Sequence, residues 1–178
     1  MKKPRTHKIH IAGGAETSGL SLDGVEKAKR VGKRLAKLGH TVVTGAHHGF
    51  PMFSAAGARA AGGAVVYFSP AASLHEHTDA YRLDADHADM IVYTGFGHSG
   101  AGLMAARSAD AFIIGFGRPE SLHDYAHALQ HGKPVGILRG EWGAEEALQR
   151  LGGSGTHVPL VHDEDPERLV MRLIELIK

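Results

Sequence analysis

The sequence predicts a Rossmann-like three-layer α/β sandwich, a mostly parallel sheet with helices on both faces. Three observations predict it. Short apolar, β-prone runs alternate along the chain with amphipathic stretches of about ten to fifteen residues, the pattern of βαβ units. Most of these runs end on glycine, which suits the tight turn from a strand into a helix. The chain has 178 residues, 43% of them hydrophobic and 22% charged, so one ordinary domain with a full core is expected.

Taken in order, Lys8-Ile9-His10-Ile11-Ala12 is a first strand stopped by Gly13-Gly14. Ser21-Leu22-Asp23-Gly24 opens a helix in which Val25, Ala28, Val31, Leu35 and Leu38 recur at helical spacing, and Gly39 closes it. His40 to Thr44 is a second strand, and an Ala-rich helix from about Phe50 to Ala61 ends at Gly62-Gly63. Ala64 to Phe68 is a third strand ending at Ser69-Pro70. The polar stretch from Ala71 to His87 reads as a loop with a short helix. Asp89 to Tyr93 is a strand and Ser99 to Ser108 a helix. Asp110 to Ile114 is the most apolar strand and is expected at the centre of the sheet. A helix from Pro119 to His131 leads to a strand at Pro134 to Leu138 and a short helix at Gly143 to Leu151. His157 to Val161 reads as an edge strand, because Pro159 cannot donate to a central ladder. Asp165-Pro166 then starts a last amphipathic helix running to Ile177. Residues 1–178 are expected to form a single domain, with residues 1–7 a flexible lead-in.

The totals exclude several functions. There is no cysteine, so disulfides, thiolate metal sites and cysteine nucleophiles are ruled out. The basic start Met1 to Lys8 is not followed by the apolar run of a signal peptide, and no stretch approaches the ~20 apolar residues of a membrane span. A cytoplasmic protein without membrane contact is expected. A net charge of +1 is too balanced to point to nucleic acid.

In an open parallel sheet, ligands bind beyond the carboxyl ends of the strands, where strand order reverses. Four loops then matter: Ala12 to Glu16, Thr44 to Gly49, Thr94 to Gly100 and Gly115 to Ser121. Each carries glycine directly after a strand, and three run into a helix start. Glycine lets the backbone approach a ligand, and helix N-termini offer free N–H groups and a positive dipole end. A small phosphate-bearing ligand is therefore expected, with Gly13, Gly14, Gly45, His47, Thr94, Gly95, Gly97, His98, Ser99, Gly115, Gly117, Arg118 and Ser121 as candidate contacts. No loop carries Gly-x-x-x-x-Gly-Lys-Ser/Thr. Gly95-x-Gly97-x-x-Gly100 fits a dinucleotide fingerprint, but it lies mid-chain with no acidic residue placed to hold a ribose. Arg118, at a loop apex, is suited to bidentate contact with phosphate.

The chain holds fourteen histidines. His75-Glu76-His77, Asp84-Ala85-Asp86-His87 and His47-His48 gather potential ligands, but no spacing is diagnostic, and no metal is expected. His75 and His77 share a face only if their segment is extended. His47 and His98 fit better as ligand contacts on the binding face. Trp142 reads as a core or subunit-interface aromatic.

Two segments resemble a known superfamily. Gly39-His40-Thr41-Val42-Val43-Thr44-Gly45, with Ala56-Gly57-Ala58-Arg59-Ala60-Ala61-Gly62-Gly63, is similar to "Gly-x-x-Val-Val-Thr-Gly-Gly … Ala-x-x-Gly-Ala-x-x-Ala-Gly-Gly". Arg107 to Ile114, continuing through Ala126 to Val135, is similar to the region around the same proteins' signature loop. The superfamily contains Lonely Guy phosphoribohydrolases, lysine-decarboxylase-like proteins and molybdenum-cofactor carrier proteins. The resemblance implies a Rossmann-like fold, a nucleotide or molybdopterin-type ligand, and a homodimer or higher homo-oligomer.

The signature itself departs from the pattern. Where the hydrolases have Pro-Gly-Gly-x-Gly-Thr-x-x-Glu and the carriers Gly-Gly-Gly-x-Gly-Thr, this chain has Phe116-Gly117-Arg118-Pro119-Glu120-Ser121-Leu122-His123-Asp124. Gly117 matches, Ser121 stands for Thr and Asp124 for Glu. Ala101, with Gly102 beside it, stands where the hydrolases carry an Arg ahead of the strand that starts at Asp110. The expectation is a binding protein for a nucleotide or phosphate-bearing cofactor, for which the resemblance implies a carrier-like role. The alternatives are a phosphoribohydrolase acting on nucleoside 5′-monophosphates, with Asp124 as its catalytic carboxylate, and a non-catalytic sensor or scaffold.

Overall fold

The computed structural model of the chain describes residues 5–14, 20–115, 119–140 and 158–177. Its strands are β1 (Lys8–Ala12), β2 (Thr41–Thr44), β3 (Val65–Ser69), β4 (Met90–Tyr93), β5 (Ala111–Ile114), β6 (Val135–Leu138) and β7 (Leu160–Asp163). Its α-helices are α1 (Leu22–Lys37), α2 (Phe50–Ala60), α3 (Gly97–Ser108), α4 (Pro119–Gln130) and α5 (Pro166–Ile174). The predicted helix Gly143 to Leu151, Trp142, Gly117 and Arg118 lie outside the described residues.

The strands form one sheet in the order β4-β3-β2-β1-β5-β6-β7, and every neighbouring pair is parallel. The chain therefore winds outward from β1 to β4, returns to the other side of β1, and winds outward again to β7. That reversal puts a switch point between β1 and β5. It also places β1, rather than the more apolar β5, in the middle. Strand position follows the crossovers, which apolarity alone does not encode; β5 sits next to β1 and is buried along its whole length.

Alternation in β1 assigns the two faces. Ile9 and Ile11 join a core with Ala28, Val31 and Leu35 of α1, Ala55 and Ala58 of α2, and Leu169 and Leu173 of α5. On the other face, Ala12 packs with Ala106 of α3 and Tyr125 and Ala128 of α4. The side chain of Ser21 caps α1 by accepting the N–H of Gly24 (3.1 Å). Helices α1 and α2 cross at small residues: a Cβ on Gly32 would lie 1.8 Å from the Ser54 carbonyl oxygen, so no side chain fits there.

Two ends differ from expectation. The last strand starts at Leu160, just beyond Pro159, whose carbonyl accepts from the Val135 N–H (2.9 Å); proline enters the ladder only through its acceptor. It pairs with β6 alone among the described strands, as an edge strand should. Helix α5 begins at the expected cap, with Asp165 accepting from the Arg168 N–H (2.9 Å), but its regular turns stop at Ile174. Leu176 and Ile177 follow in tighter turns.

The polar stretch after β3 is ordered by a buried network. It forms one wide π-helical turn, Glu76–Ala80, which aims His77 into the protein. His77 Nδ1 lies 2.7 Å from Ser69 Oγ, and its Nε2 lies 2.9 Å from the Asp84 carbonyl oxygen. Tyr67 donates its hydroxyl to the Asp84 carboxylate (2.5 Å), and His87 Nδ1 is 3.0 Å from both oxygens of that carboxylate. Burial works against the charge of Asp84, but these partners outweigh it and hold its carboxyl below the usual range. Burial, with Asp84 beside it, pushes the Tyr67 hydroxyl well up. His75 and His77 point apart, His75 pairing with Asp79 on the surface, as a helical segment requires.

Candidate functional site

A cleft of about 340 Å³ opens over the carboxyl ends of β1, β2 and β3, on the face covered by α3 and α4. Its floor is His10 to Gly13 of β1 and its turn, Thr44 and Gly45 after β2, and Phe68 and Pro70 after β3. One wall is the start of α3, through His98, Ser99, Ala101 and Gly102. The other is α4, through His123, Asp124 and His127. This is the switch-point location at which open α/β sheets take their ligands.

Each part of the site has a local cause. The β1 turn is drawn against the β5 turn, where the Gly115 N–H donates to the Ala12 carbonyl (3.0 Å). A Cβ on Gly13 would stand 2.1 Å from the Gly115 carbonyl oxygen, and one on Gly115 would strike the Phe50 ring at 2.3 Å. These two glycines thus let the floor close under the cleft. The first turn of α3 has no side-chain cap, and its residues His98 and Ser99 line the opening. Small residues at 101 and 102 keep the wall low, and a Cβ on Gly102 would meet nothing within 4 Å.

The cleft is rich in imidazole. His10 is buried on the floor at 3% exposure, its Nε2 3.4 Å from Oδ1 of Asp124 and its ring 5.0 Å from that of Phe112. His47 stacks on His98 with ring centres 5.3 Å apart, and Tyr81 meets His98 edge-on. His123 and His127 stack along α4 at 5.5 Å. Burial lowers the His47 pKa, and neighbouring His98 lowers it further, against a smaller opposing pull from Asp124. Burial, then His123, lowers that of His127. No lysine or arginine stands among the described lining residues. The His47 and His127 rings are thereby biased toward their uncharged forms, in a cleft whose described lining carries one carboxyl group, that of Asp124. Among the described residues no three His, Asp or Glu side chains come together in a metal-binding group.

Of the residues singled out from the sequence, Gly13, Gly45, His47, His98, Ser99 and Asp124 meet in this cleft. Gly115 lies beneath it, and Gly14 accepts the Phe50 N–H at the start of α2 (3.4 Å). Ser121 is buried on α4. Thr94, Gly95 and Gly97 stand off the lining. Thr94 Oγ1 donates to the Ser69 carbonyl (2.7 Å), and the N–H groups of Gly95 and Gly97 donate to Ala71 and Pro70. They hold the β3 and β4 turns together, because β4 is the sheet edge farthest from the switch point.

Sequence reasoning passed over His10, His123 and His127. A polar residue between Ile9 and Ile11 was the available signal for His10. For the others it was the spacing of four residues on a helix that opens at a predicted binding loop.

Fold and cleft together define a Rossmann-like α/β protein with an open cleft at its switch point. The chain belongs to the SLOG cluster4 family, whose model matches residues 6–170. It is 33% identical over 112 residues to an uncharacterised protein of Archaeoglobus fulgidus, a match covering 63% of this chain and 68% of that one. Among solved structures it is similar to the molybdenum cofactor binding protein of Rippkaea orientalis, at 22% identity and a TM-score of 0.80, over 99% of this chain and 100% of that one. It is also similar to the molybdenum cofactor carrier protein of Chlamydomonas reinhardtii, at 24% identity and a TM-score of 0.74, over 97% and 98%. DNA processing protein A of Helicobacter pylori, described with a single-stranded DNA binding mode, matches at 14% identity and a TM-score of 0.68, over 97% and 82%. At these identities the solved structures establish the shared fold. No helix among the described residues is long and apolar enough to cross a membrane.

Proposed function

We propose that this protein binds a small phosphate-bearing ligand, a nucleotide or a molybdopterin-type cofactor, in the cleft between α3 and α4, and that it holds the ligand rather than transforming it. The observation that carries this reading is Ala101. The position at which the resembling hydrolases place an arginine lines this cleft, and here it presents a methyl group. The groups that bind phosphate without reacting remain: the glycine turn after β1, the uncapped start of α3, and the His47–His98 pair. The cofactor proteins of Rippkaea orientalis and Chlamydomonas reinhardtii share the architecture and support a carrier-like role. Arg118 is proposed as a further phosphate contact. The near-balanced charge supports a small ligand over DNA.

Native mass spectrometry of freshly purified protein tests this directly. A released nucleotide or pterin is the expected result. Empty protein with no thermal shift from any nucleoside phosphate or pterin phosphate would refute it.

A second reading rests on Asp124, which does face the cleft. A phosphoribohydrolase needs a carboxylate beside the ribose. Release of base from a nucleoside 5′-monophosphate, lost in Asp124→Asn, would establish it in place of the first. A homodimer or higher oligomer is also proposed. Phe96, at the start of α3, is 72% exposed, and Leu103 and Met104 of the same helix are exposed as well, apolar groups that a subunit interface would cover. Light scattering at the monomer mass would exclude it.

A further inference from the structure

Asp124 contributes the one carboxylate among the described residues of a cleft otherwise lined by imidazoles, hydroxyls and apolar groups. A carboxylate repels phosphate, so the ligand's phosphate does not lie against α4. The α3 wall, with the positive end of the helix dipole, His98 and Ser99, is the place for it. The α4 wall then faces the other end of the ligand.

His10 fixes what that wall can do. Its Nδ1 is buried and has no partner, while its Nε2 points at Asp124 from 3.4 Å. The tautomer that leaves no buried donor unmet carries its proton on Nε2 and directs it to Asp124 Oδ1. The carboxylate is thereby steadied from below and is about a quarter exposed, presenting acceptors and no donor to the cleft. Its complement is a pair of parallel N–H donors, which a carboxylate meets bidentately as it meets a guanidinium. Ala12 and Gly13, which follow His10 at the end of β1, give that end of the cleft a low, largely apolar floor on which a planar ring can lie.

Building on the binding function above, we propose that Asp124, positioned by His10, selects a ring bearing the 2-amino-4-oxo edge shared by guanine and pterin. Both rings offer adjacent N–H donors there. Adenine sets a ring acceptor beside its amino group and would oppose lone pairs to the carboxylate.

Calorimetric titration with GMP, IMP, AMP, 2′-deoxy-GMP and neopterin monophosphate tests this. GMP or the pterin phosphate is expected to bind about tenfold or more tightly than IMP and AMP, and the tighter of the two names the source of the ring. Asp124→Asn is expected to bring the GMP to IMP ratio close to one while retaining IMP binding. His10→Gln, checked for folding by circular dichroism, is expected to narrow the same ratio, which a purely structural loss would not do. Equal binding of GMP and AMP would overturn the proposal, as would an unchanged ratio in Asp124→Asn. Loss of affinity with 2′-deoxy-GMP but not with IMP would overturn it in favour of a sugar contact. Absence of binding by every one of these phosphates would refute the binding function itself, and with it this refinement.

Discussion

The two faces of the sheet are built to different ends. On one, α1, α2 and α5 close over Ile9, Ile11, Val42 and Val65 in a continuous core, and α1 and α2 approach closely enough that Gly32 admits no side chain. On the other, the apolar residues fall into two smaller groups, one under α4 and one of Val43, Phe68 and Ala105 under α3. The cleft runs between them. The same strands serve both faces, since His10 lies between Ile9 and Ile11. One face thus carries the stability, and the other gives up packing to keep a polar, histidine-lined opening.

This contrast can be broken from the packed side first. Leu169→Ala, at a fully buried position against β6, is expected to cost about 2–5 kcal/mol in denaturant unfolding. Gly32→Ala follows, because its Cβ would overlap the Ser54 carbonyl and force the helices apart, at about 1–3 kcal/mol. Gly102→Ala on the cleft side is expected to do the reverse. Its Cβ meets open space, so the gain in helix propensity of about 1 kcal/mol is retained. The same methyl, and more so Gly102→Leu, narrows the cleft and should weaken ligand-induced thermal shifts. A loss of stability at Gly102 comparable to that at Gly32 would show that the two faces are not so divided.

The smallest effect is with pH, and it joins the faces. Burial, aided by His7, lowers the pKa of His40, and burial likewise lowers those of His47 and His127. In the unfolded chain these imidazoles titrate near the ordinary value of about 6.5. The folded protein therefore binds fewer protons there. The stability these groups contribute is fully present above about pH 6.5 and is lost as pH falls through that value toward the lower folded ones. Melting temperature is expected to be lower at pH 5.5 than at pH 7.5. A phosphate ligand beside the His47–His98 pair should offset the loss, because an anion favours the charged form of His47. Ligand-induced stabilisation that grows as pH falls is the measurement, and pH-independent stabilisation would place the anion away from these rings.

Much of the fold was legible because its causes are local. Ser21 and Asp165 cap helices where their side chains predict, Gly39 ends α1, and apolar runs form strands within a residue or two of their expected bounds, apart from the strand displaced by Pro159. The candidate site was half legible. His47, His98, Ser99 and Asp124 lie on loops or in the early turns of helices that a parallel sheet carries to its ligand-binding edge.

Sequence alone determined the alternation of strands and helices, the helix caps, and the absence of cysteine chemistry, because propensity, period and composition act on neighbours along the chain. Tertiary structure decided which strand is central, since β5 is the most apolar run but β1 receives both crossovers. It decided that Gly95 and Gly97 brace an edge turn while Gly13 forms the floor of the cleft. It also turned His10, a polar interruption of an apolar strand, into the partner of Asp124, a residue far away in sequence. Such pairings depend on strand order and on which face a side chain takes, and neither is written in any short window of sequence.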